Sequence, residues 1–368
     1  MNKAKALFLE LLSSAIWERT ADSQLFESVD SNLWEQVCEL AIDQKVVALI
    51  FDGVLSLPPE LHPEKKIIFK LHLQSESIER TNNRINNVLK KLSAEYEKLG
   101  CPFVLLKGPA NASFYPNPAH RTTGDIDVFL YQKGDYQKAN NWARSKEFEM
   151  EPENIHHQAF KYEGVLIENH KWASYFGIRK LDKLLEHKVD EISANNSFLK
   201  INIDGLEVKV LPHEFNAFFL FQHLFHHFIH LGVGIRQLCD WLLFLDRYSS
   251  VIDKDAFLRL AIEFELLYGM QIFASVAVKY LDAEPTIFPF AINTEDEYVD
   301  MVMDDILSGG SFGYAIFQNK RFRTSLHRKW YSFKYSNKRL RKIHKIAPNH
   351  TANLSLNKVM TNIKILFK

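Results

Sequence analysis

The feature that most constrains the fold is the segment 103–130, in which two apolar runs flank a polar loop. The first run ends at Lys107-Gly108, and the second run follows the tetrapeptide at 124–127, Gly-Asp-Ile-Asp. An apolar run bounded by turn residues is typical of a buried strand. Because side chains alternate along a strand, we expect Asp125 and Asp127 to share one face of a sheet.

These paired carboxylates are suited to binding a metal ion. Two carboxylates held on one strand face repel each other, and a divalent cation relieves that repulsion. Hard oxygen ligands suit Mg²⁺. A third carboxylate, Glu168, lies on a second apolar strand predicted over 164–170, with His170 on the same face. Taken alone, Gly-Asp-Ile-Asp is more often a solvated start of a strand, so the metal hypothesis depends on this third carboxylate.

The Lys107-Gly108 pair lies where the first strand meets a helix predicted over 109–114. Free amides at a helix start, a glycine that lets the backbone come close, and a lysine together favour binding of an anion. The alternative for such a pair is an ordinary turn. Its position shortly before Arg121 and the two aspartates favours a phosphate site.

The combined pattern resembles the nucleotidyltransferase superfamily related to DNA polymerase beta and kanamycin nucleotidyltransferase. It is more closely similar to a bacterial branch of uncharacterised nucleotidyltransferases. The matching motifs are Leu106-Lys107-Gly108, Tyr115-Pro116, Arg121, Gly124 to Asp127, Glu168 with His170, the His-rich segment 223–230, the segment from Gly232 to Arg236, and Asp240-Trp241. One departure from the wider superfamily is Lys107-Gly108, where many members have Gly-Ser.

The resemblance implies a Mg²⁺-dependent enzyme that moves a nucleoside monophosphate from a nucleoside triphosphate to an acceptor hydroxyl, with release of pyrophosphate. One or two Mg²⁺ ions are expected. The implied catalytic and metal-binding residues are Asp125, Asp127 and Glu168. The implied nucleotide contacts are Lys107, Gly108, Arg121 and Gly124. The acceptor and the nucleotide base are not specified by the sequence.

The order of predicted elements indicates an α+β fold, with a small mixed sheet, N-terminal helices and a C-terminal helical domain. The expected regions are an N-terminal helical region over 1–100, a nucleotidyltransferase core over 101–211, a C-terminal helical domain over 212–308 and a basic aromatic tail over 309–368. Strands are predicted near 103–106, 125–131, 158–162, 164–170 and 206–211. Helices are predicted at 3–17, 31–44, 64–99, 109–114, 133–146, 179–189, 213–230, 235–248, 253–264 and 267–281.

One stripe of a predicted helix carries four histidines, which are His223, His226, His227 and His230. A zinc site is disfavoured because a single helix cannot surround tetrahedral Zn²⁺ with four adjacent residues. The alternatives are packing against the sheet and a place along the active cleft, which we favour for His223 and His227. Arg236 and Asp240 lie four apart on the next helix, so they are expected either to pair with each other or to border the cleft.

Charge is segregated along the chain. Lys+Arg and Asp+Glu are equal at 45 each, yet residues 306–368 hold 14 basic and no acidic residues. Such a tail indicates an anionic partner, either nucleic acid or a membrane surface, or packing on the acidic remainder of the chain. Three widely spaced cysteines favour reduced thiols and a cytoplasmic location. No run of about 18 apolar residues is present, so no membrane span is expected.

Two alternatives to a general nucleotidyltransferase follow from the same residues. The first is a toxin-like enzyme that modifies tRNA or protein. The second is a non-catalytic module that binds nucleotide or RNA on the same fold. Against the second, three carboxylates and the Lys107-Gly108 pair are all present, whereas a chain without catalysis is expected to lack one of them.

Overall fold

The computed structural model of the protein describes residues 1–230, 232–309 and 324–352. Its α-helices are α1 (Lys3–Ile16), α2 (Ser31–Asp43), α3 (Val47–Leu55), α4 (Lys65–Lys98), α5 (Pro109–Ala112), α6 (Asp135–Ser145), α7 (Arg179–Ala194), α8 (His213–His230), α9 (Ile235–Tyr248), α10 (Lys254–Glu263), α11 (Leu267–Leu281), α12 (Val299–Gly309) and α13 (Ser325–Ile343). Its strands are β1 (Val104–Leu105), β2 (Asp125–Phe129), β3 (His157–Tyr162), β4 (Val165–His170), β5 (Leu199–Ile203) and β6 (Leu206–Val210).

The strands of the described residues form one mixed sheet in the order β3-β4-β2-β1-β6-β5. Strand β2 runs parallel to β4 and antiparallel to β1, which in turn runs parallel to β6. The outer strands β3 and β5 pair antiparallel with β4 and β6. The predicted α+β fold with a mixed sheet is therefore confirmed, and β2, which carries the two aspartates, lies near its centre.

The two faces of the sheet pack against different helices. Ile126 and Val128 of β2 join a hydrophobic cluster with residues of α4 and α6. Phe129 joins a second cluster that is built mainly from the helices before and after the sheet. Because side chains alternate along a strand, Asp125 and Asp127 share the face of Phe129. The carboxylates therefore point towards the helical half of the molecule.

Helix α4 connects these two clusters. It is 34 residues long, which corresponds to about 50 Å, and contains neither Pro nor Gly. Ile67 and Leu71 of its first turns pack in the cluster of the helical half. Ile85, Leu89 and Tyr96 of its later turns pack under the sheet. One continuous helix thus fixes the sheet relative to the helical half.

The N-terminal and C-terminal helices share one core. Leu11 of α1 and Ile50 of α3 lie in the same cluster as Phe221 of α8 and Phe273 of α11. The Ser13 hydroxyl donates to a backbone carbonyl at the end of α11 over 3.0 Å. The regional boundaries predicted from the sequence stay a prediction, but the regions over 1–100 and 212–308 pack together.

The end of the basic tail packs on the body of the protein. Residues 310–323 and 353–368 of the predicted tail lie outside the described residues. Leu340, Ile343 and Ile346 are buried in the cluster of the helical half. The Arg339 guanidinium donates to the backbone carbonyl of Phe228 and pairs with a carboxylate of α12. This part of the tail therefore packs on the acidic remainder of the chain, as one of the two alternatives from the sequence expected. Binding of an anionic partner by the tail stays a prediction.

None of the described helices is by itself both long and apolar enough to cross a membrane. Helices α10 and α11 reach such a length and composition only when taken together, across a bend of 120°.

Candidate active site

Three neighbouring strands bring the polar side chains of the site together. Strands β2 and β4 are paired in a register that places Asp127 beside Glu168 and Phe129 beside His170. The antiparallel pairing of β3 with β4 places His157 beside His170. The sheet register therefore gathers residues that are up to 45 positions apart in sequence, as Asp125 and His170 are.

Asp127 is the centre of this cluster and is fully buried. Its Oδ1 atom lies 3.0 Å from Lys107 Nζ and 2.9 Å from His170 Nε2. Its Oδ2 atom is buried and has no hydrogen-bond partner among the described residues. A buried polar atom without a partner is unfavourable, and a carboxylate oxygen in that state is a natural ligand for a cation.

The other two carboxylates differ in their surroundings. Glu168 Oε2 lies 3.3 Å from His170 Nε2 and 3.5 Å from His157 Nδ1. Burial would raise the pKa of Glu168, but the His170 hydrogen bond and the Lys107 charge lower it to about 2. Burial and the neighbouring Asp127 carboxylate raise the pKa of Asp125. The ionised form of Asp125 is thus less stabilised by its surroundings than that of Glu168.

Lys107 supplies the positive charge nearest to this cluster, and its side chain is 20% exposed. Burial would lower the pKa of Lys107, but the charges of Asp127, Asp125 and Glu168 outweigh burial and raise it. Helix α5 is a single turn, Pro109–Ala112, and therefore shorter than the helix predicted over 109–114. The anion site predicted at this point consequently rests on the ammonium group of Lys107 more than on a helix start.

Gly108 and Gly124, both predicted to contact a nucleotide, have different environments. Gly108 has φ 69°, and a Cβ atom there would lie 2.6 Å from the backbone oxygen of Asp125. Only glycine fits that position, because the left-handed backbone and the close approach both exclude a side chain. Gly124 is exposed, and no atom lies within 4 Å of a Cβ built there. Steric exclusion of a side chain therefore explains why residue 108 is glycine, but it does not explain the glycine at 124.

A cavity of about 280 Å³ opens in front of Asp125 and Glu168, and Asp127 is buried behind its wall. The predicted site residues along its wall are Lys107, Asp125, Glu168, His170, His223 and His227. Residues in its wall that the sequence did not predict include His156, His157, His226 and Tyr175. Arg236 and Asp240 do not line this cavity. The adjacent pair His156-His157 at the start of β3, the strand that pairs with the Glu168 strand, is the sequence signal for this part of the wall.

The histidines of this cavity are of two electrostatic kinds. Burial lowers the pKa of His227 to about 3 and that of His156 to about 4, so both side chains are neutral at pH 7. Burial also lowers the pKa of His223. His170 differs, because its hydrogen bonds to Asp127 and Glu168 outweigh burial and raise its pKa. Lys107 and His170 are therefore the groups that balance the charge of the carboxylates.

Among the residues that the structure describes, two groups of side chains offer ligand atoms close enough together to bind one metal ion. Asp127, Glu168 and His170 form the first group, and His156, His157 and His170 form the second, with ligand atoms within 4.8 Å of one another in each. The first group fits a hard divalent cation, because it contains two carboxylates and the unpartnered Oδ2 atom of Asp127. In the second group, Asn154 Nδ2 lies 2.6 Å from His157 Nε2. This contact occupies one of the two ring nitrogens of His157 and leaves only the other as a metal ligand.

Arg121 occupies a position different from the one predicted. Its Nε and Nη2 atoms lie 2.7 Å from the two carboxylate oxygens of Asp240, and its Nη1 atom lies 3.2 Å from the Gly108 carbonyl oxygen. Arg121 is only 3% exposed. A guanidinium whose donors are used in this way and that is shielded from the cavity is not available to a nucleotide. The structure therefore corrects the prediction, and Arg121 instead supports the loop that carries Gly108.

The expected pairing of Arg236 with Asp240 is also corrected. Asp240 is held by Arg121 and by the hydroxyl of Tyr115, which donates to it over 2.7 Å. Arg236 Nη1 donates to the backbone carbonyl of Thr122 over 2.9 Å. Both arginines thus fix the loop between β1 and β2 from its buried side. Asp240, which lies on α9, thus anchors that loop to the helix through Arg121 and Tyr115.

Replacing Arg121 by Ala should lower the free energy of unfolding by about 3–5 kcal/mol, because the buried Asp240 carboxylate would lose its bidentate partner. Chemical denaturation followed by circular dichroism measures this change. Arg80→Ala is the matched control, since the Arg80 side chain is 71% exposed and should contribute less than about 1 kcal/mol. A stable Arg121→Ala protein that has lost nucleotide affinity would restore the original prediction.

A mixed sheet whose central strands bring carboxylates together beside a lysine is the arrangement that the sequence resemblance implies for a nucleotidyl-transferring enzyme. Residues 30–282 match the model of a protein family described as uncharacterised nucleotidyltransferases. This match covers well over half of the chain, so the chain belongs to that family. The predicted resemblance is confirmed at this level, and the class of enzyme is a nucleotidyltransferase.

One solved structure with a measurable likeness is the crystal structure of an antigenic nucleotidyltransferase-like protein from Paracoccidioides brasiliensis. The two chains are 14% identical, and the likeness covers 55% of this chain and 94% of the other, with a TM-score of 0.32. That score is too low to support a conclusion about fold or function. No curated protein matches the chain at a significant level.

Proposed function

We propose that this protein is a divalent-metal-dependent nucleotidyltransferase that moves a nucleoside monophosphate from a nucleoside triphosphate to an acceptor hydroxyl and releases pyrophosphate. The observation that carries the proposal is the state of Asp127. Its carboxylate is fully buried between Lys107 and His170, its Oδ2 atom has no partner among the described residues, and Glu168 lies beside it on β4. Family membership supports the same class of reaction.

Asp125, Asp127 and Glu168 are the residues that would hold the cation. Oxygen ligands of this kind favour Mg²⁺, and room for a second ion follows from the spread of the three carboxylates over two strands. When bound, the cation would stabilise the charge that develops on the reacting phosphate. His170 would keep its hydrogen bond to Asp127 and so fix the orientation of that carboxylate.

Lys107 would bind the phosphates of the nucleotide. Its ammonium group reaches the cavity and lies 3.0 Å from Asp127, so it can be shared between that carboxylate and an anionic ligand. The pyrophosphate would accordingly leave on the Lys107 side of the carboxylates. Glu168, with a pKa of about 2, is a weak base at neutral pH and is assigned to holding charge.

Lys107→Ala should weaken nucleoside triphosphate binding by about tenfold to a hundredfold, which is the effect of losing one charge-assisted hydrogen bond to phosphate. Isothermal titration with a non-hydrolysable triphosphate analogue measures this affinity. Lys161→Ala serves as the control, because Lys161 pairs with Glu149 on the outer strand β3 at a side-chain exposure of 49%. If the affinity of Lys107→Ala equalled that of the control, Lys107 would not contact the nucleotide.

The experiment that tests the proposed function uses the full chain, each α-labelled nucleoside triphosphate, Mg²⁺ and fractionated cell extract. We expect one nucleotide to label one fraction, with no labelling when Mg²⁺ is chelated or when Asp127 is Asn. Labelling that persists without a divalent cation would overturn the metal-dependent mechanism. A labelled tRNA or protein fraction would identify the toxin-like alternative within the same chemistry.

A non-catalytic nucleotide-binding module is the second candidate. The observation that favours it is the Lys107–Asp127 ion pair, which neutralises the central carboxylate without a metal ion. Tight triphosphate binding together with no labelling in any extract fraction would support that candidate.

A further inference from the structure

A second cavity of about 540 Å³ adjoins the catalytic one. The two cavities share three wall residues, Ala173, Ser174 and Tyr175, in the segment between β4 and α7. The remaining walls of the second cavity are formed by the end of β2 and by the face of α7 that includes Leu185 and Val189. The catalytic cavity, at about 280 Å³, is small for two substrates, since a site for one small molecule typically measures about 300–1,000 Å³.

The second cavity and the Lys107-Gly108 turn lie at opposite ends of the face of β2 that carries the catalytic carboxylates, and from that turn the Lys107 side chain reaches Asp127. Asp125, Asp127 and Phe129 follow one another on the same face of β2. Gly108, next to Lys107, approaches the Asp125 end, where a Cβ atom would lie 2.6 Å from the Asp125 oxygen. Phe129, at the other end, lines the second cavity. Across the sheet the two are also separated, because β1, which leads to Lys107, and β4, which leads to the shared wall at 173–175, flank β2 on opposite sides.

Nucleotidyl transfer is an in-line displacement, in which the attacking and leaving oxygens lie on opposite sides of phosphorus. If pyrophosphate leaves towards Lys107, the acceptor hydroxyl must approach from the Phe129 end. We propose that the second cavity is the acceptor site of this enzyme, an inference that rests on the proposed function. The shared wall at 173–175 would then separate the nucleotide from the body of the acceptor.

The charges around the second cavity indicate what kind of acceptor it takes. Its basic residues are Lys171, Arg179 and Lys183, and its acidic residues are Asp182, Glu186 and Asp190. Equal numbers of opposite charges do not produce the positive field that binding of a nucleic acid strand requires. They also do not produce the negative field that would favour a polycationic amino sugar. The acceptor is therefore a molecule of low net charge.

The apolar part of the cavity indicates the shape of that acceptor. Trp172 and Ile155 line the second cavity and are 39% and 66% exposed, so both stand at its rim. Lys171 Nζ lies 4.8 Å from the centre of the Trp172 ring and helps to hold it in place. An exposed indole beside a cavity is suited to stacking on a flat ring. We therefore assign the site to a small, uncharged hydroxyl compound with an aromatic or similarly flat apolar part.

The test uses N-phenyl-1-naphthylamine, an uncharged fluorescent aromatic amine, titrated into the full chain. Trp172→Ala and Ile155→Ser should each weaken its binding, Trp172→Ala by about tenfold, as expected for the loss of an aromatic contact with its buried area. Both residues are exposed, so the variants should fold. Ile262→Ser is the control, because Ile262 is 56% exposed on α10 and does not line the cavity. Affinity for a triphosphate analogue should be unchanged in all three variants.

In the labelling assay, the probe should slow label transfer even at saturating nucleotide, because it competes with the acceptor. Equal probe binding by the wild type and both rim variants would overturn the proposed site. Loss of triphosphate affinity in Trp172→Ala would show that the cavity holds the nucleotide base, and displacement of the probe by a short single-stranded RNA would show an anionic acceptor. Either result would overturn the assignment. Failure of wild-type labelling, with the predicted probe results intact, would instead refute the proposed function.

Discussion

Replacing Asp127 by Asn should reduce metal-dependent nucleotidyl transfer by about a thousandfold or more, as expected when several kcal/mol of transition-state stabilisation are lost. The same change should also destabilise the protein. Lys107 and His170 both contact Asp127 Oδ1 at 3.0 and 2.9 Å, so the neutral amide would leave Lys107 without its nearest counter-charge and His170 without an anionic hydrogen-bond acceptor. We expect a loss of roughly 3 kcal/mol in the free energy of unfolding.

Asp125→Asn is the matched variant. It should also abolish transfer, yet its thermal stability should equal or exceed that of the wild type. Since the folded-state pKa of Asp125 is raised, its ionised form costs stability at neutral pH, and Asn removes that cost. Repulsion between the two carboxylates alone would make both substitutions stabilising, and the contacts of Asp127 with Lys107 and His170 reverse that expectation for Asp127. Near wild-type transfer in either variant would refute the metal assignment.

Truncation after Ser308 should leave the remaining chain largely unfolded. The deletion removes Leu340, Ile343 and Ile346 from the core, and burial of each such side chain contributes about 2–5 kcal/mol. It also removes Arg339, whose guanidinium pairs with the part-buried carboxylate of Asp305. A total loss above about 5 kcal/mol is comparable with the whole stability of a typical domain. Circular dichroism and size-exclusion chromatography of the truncated chain measure the outcome.

A charge variant separates packing from electrostatics in the same tail. Lys338, Arg341 and Lys342 are exposed, so changing all three to Ala should leave the stability of the protein nearly unchanged. Reduced retention on RNA or anionic vesicles in this folded variant would support the predicted anionic partner. A truncated chain that stays folded and fully active would show that the tail does not belong to the core.

The central part of the fold could be predicted because its signals are local. The apolar runs before Lys107, around Asp127 and around Glu168 are short-range patterns, and each became a strand of the sheet. The long helix α4 was predicted because its segment lacks Pro and Gly over nine turns or more. Strand register then follows from hydrophobic alternation, which is why both aspartates share a face as expected.

Other elements were missed for different physical reasons. Helix α3, Val47–Leu55, is only 9 residues long and buried on nearly all sides, so its short apolar run does not distinguish a helix from a strand. Helix α12 was not predicted. Strand β5 alternates as Leu-Lys-Ile-Asn-Ile before Asp204-Gly205, both of which have positive φ, so a hairpin signal was present and overlooked.

The wall of the candidate site was the hardest part to predict. Arg121 and Asp240 are 119 positions apart, and no local pattern indicates that they form a buried bidentate pair. The same separation in sequence hides the approach of His226 to the carboxylate strands, because that approach depends on how α8 packs on the sheet. Long-range packing, rather than propensity, thus decides which polar residues face the cavity.

The measurement that tests the central claim most directly follows two labels of one nucleoside triphosphate in parallel reactions. With the nucleotide and the extract fraction that support turnover, the full chain should place the α-phosphorus label on the acceptor and release the γ-phosphorus label as pyrophosphate. Asp127→Asn should do neither. Transfer of the γ label to the acceptor, with the α label retained in a nucleoside diphosphate, would show a phosphotransferase and contradict the account.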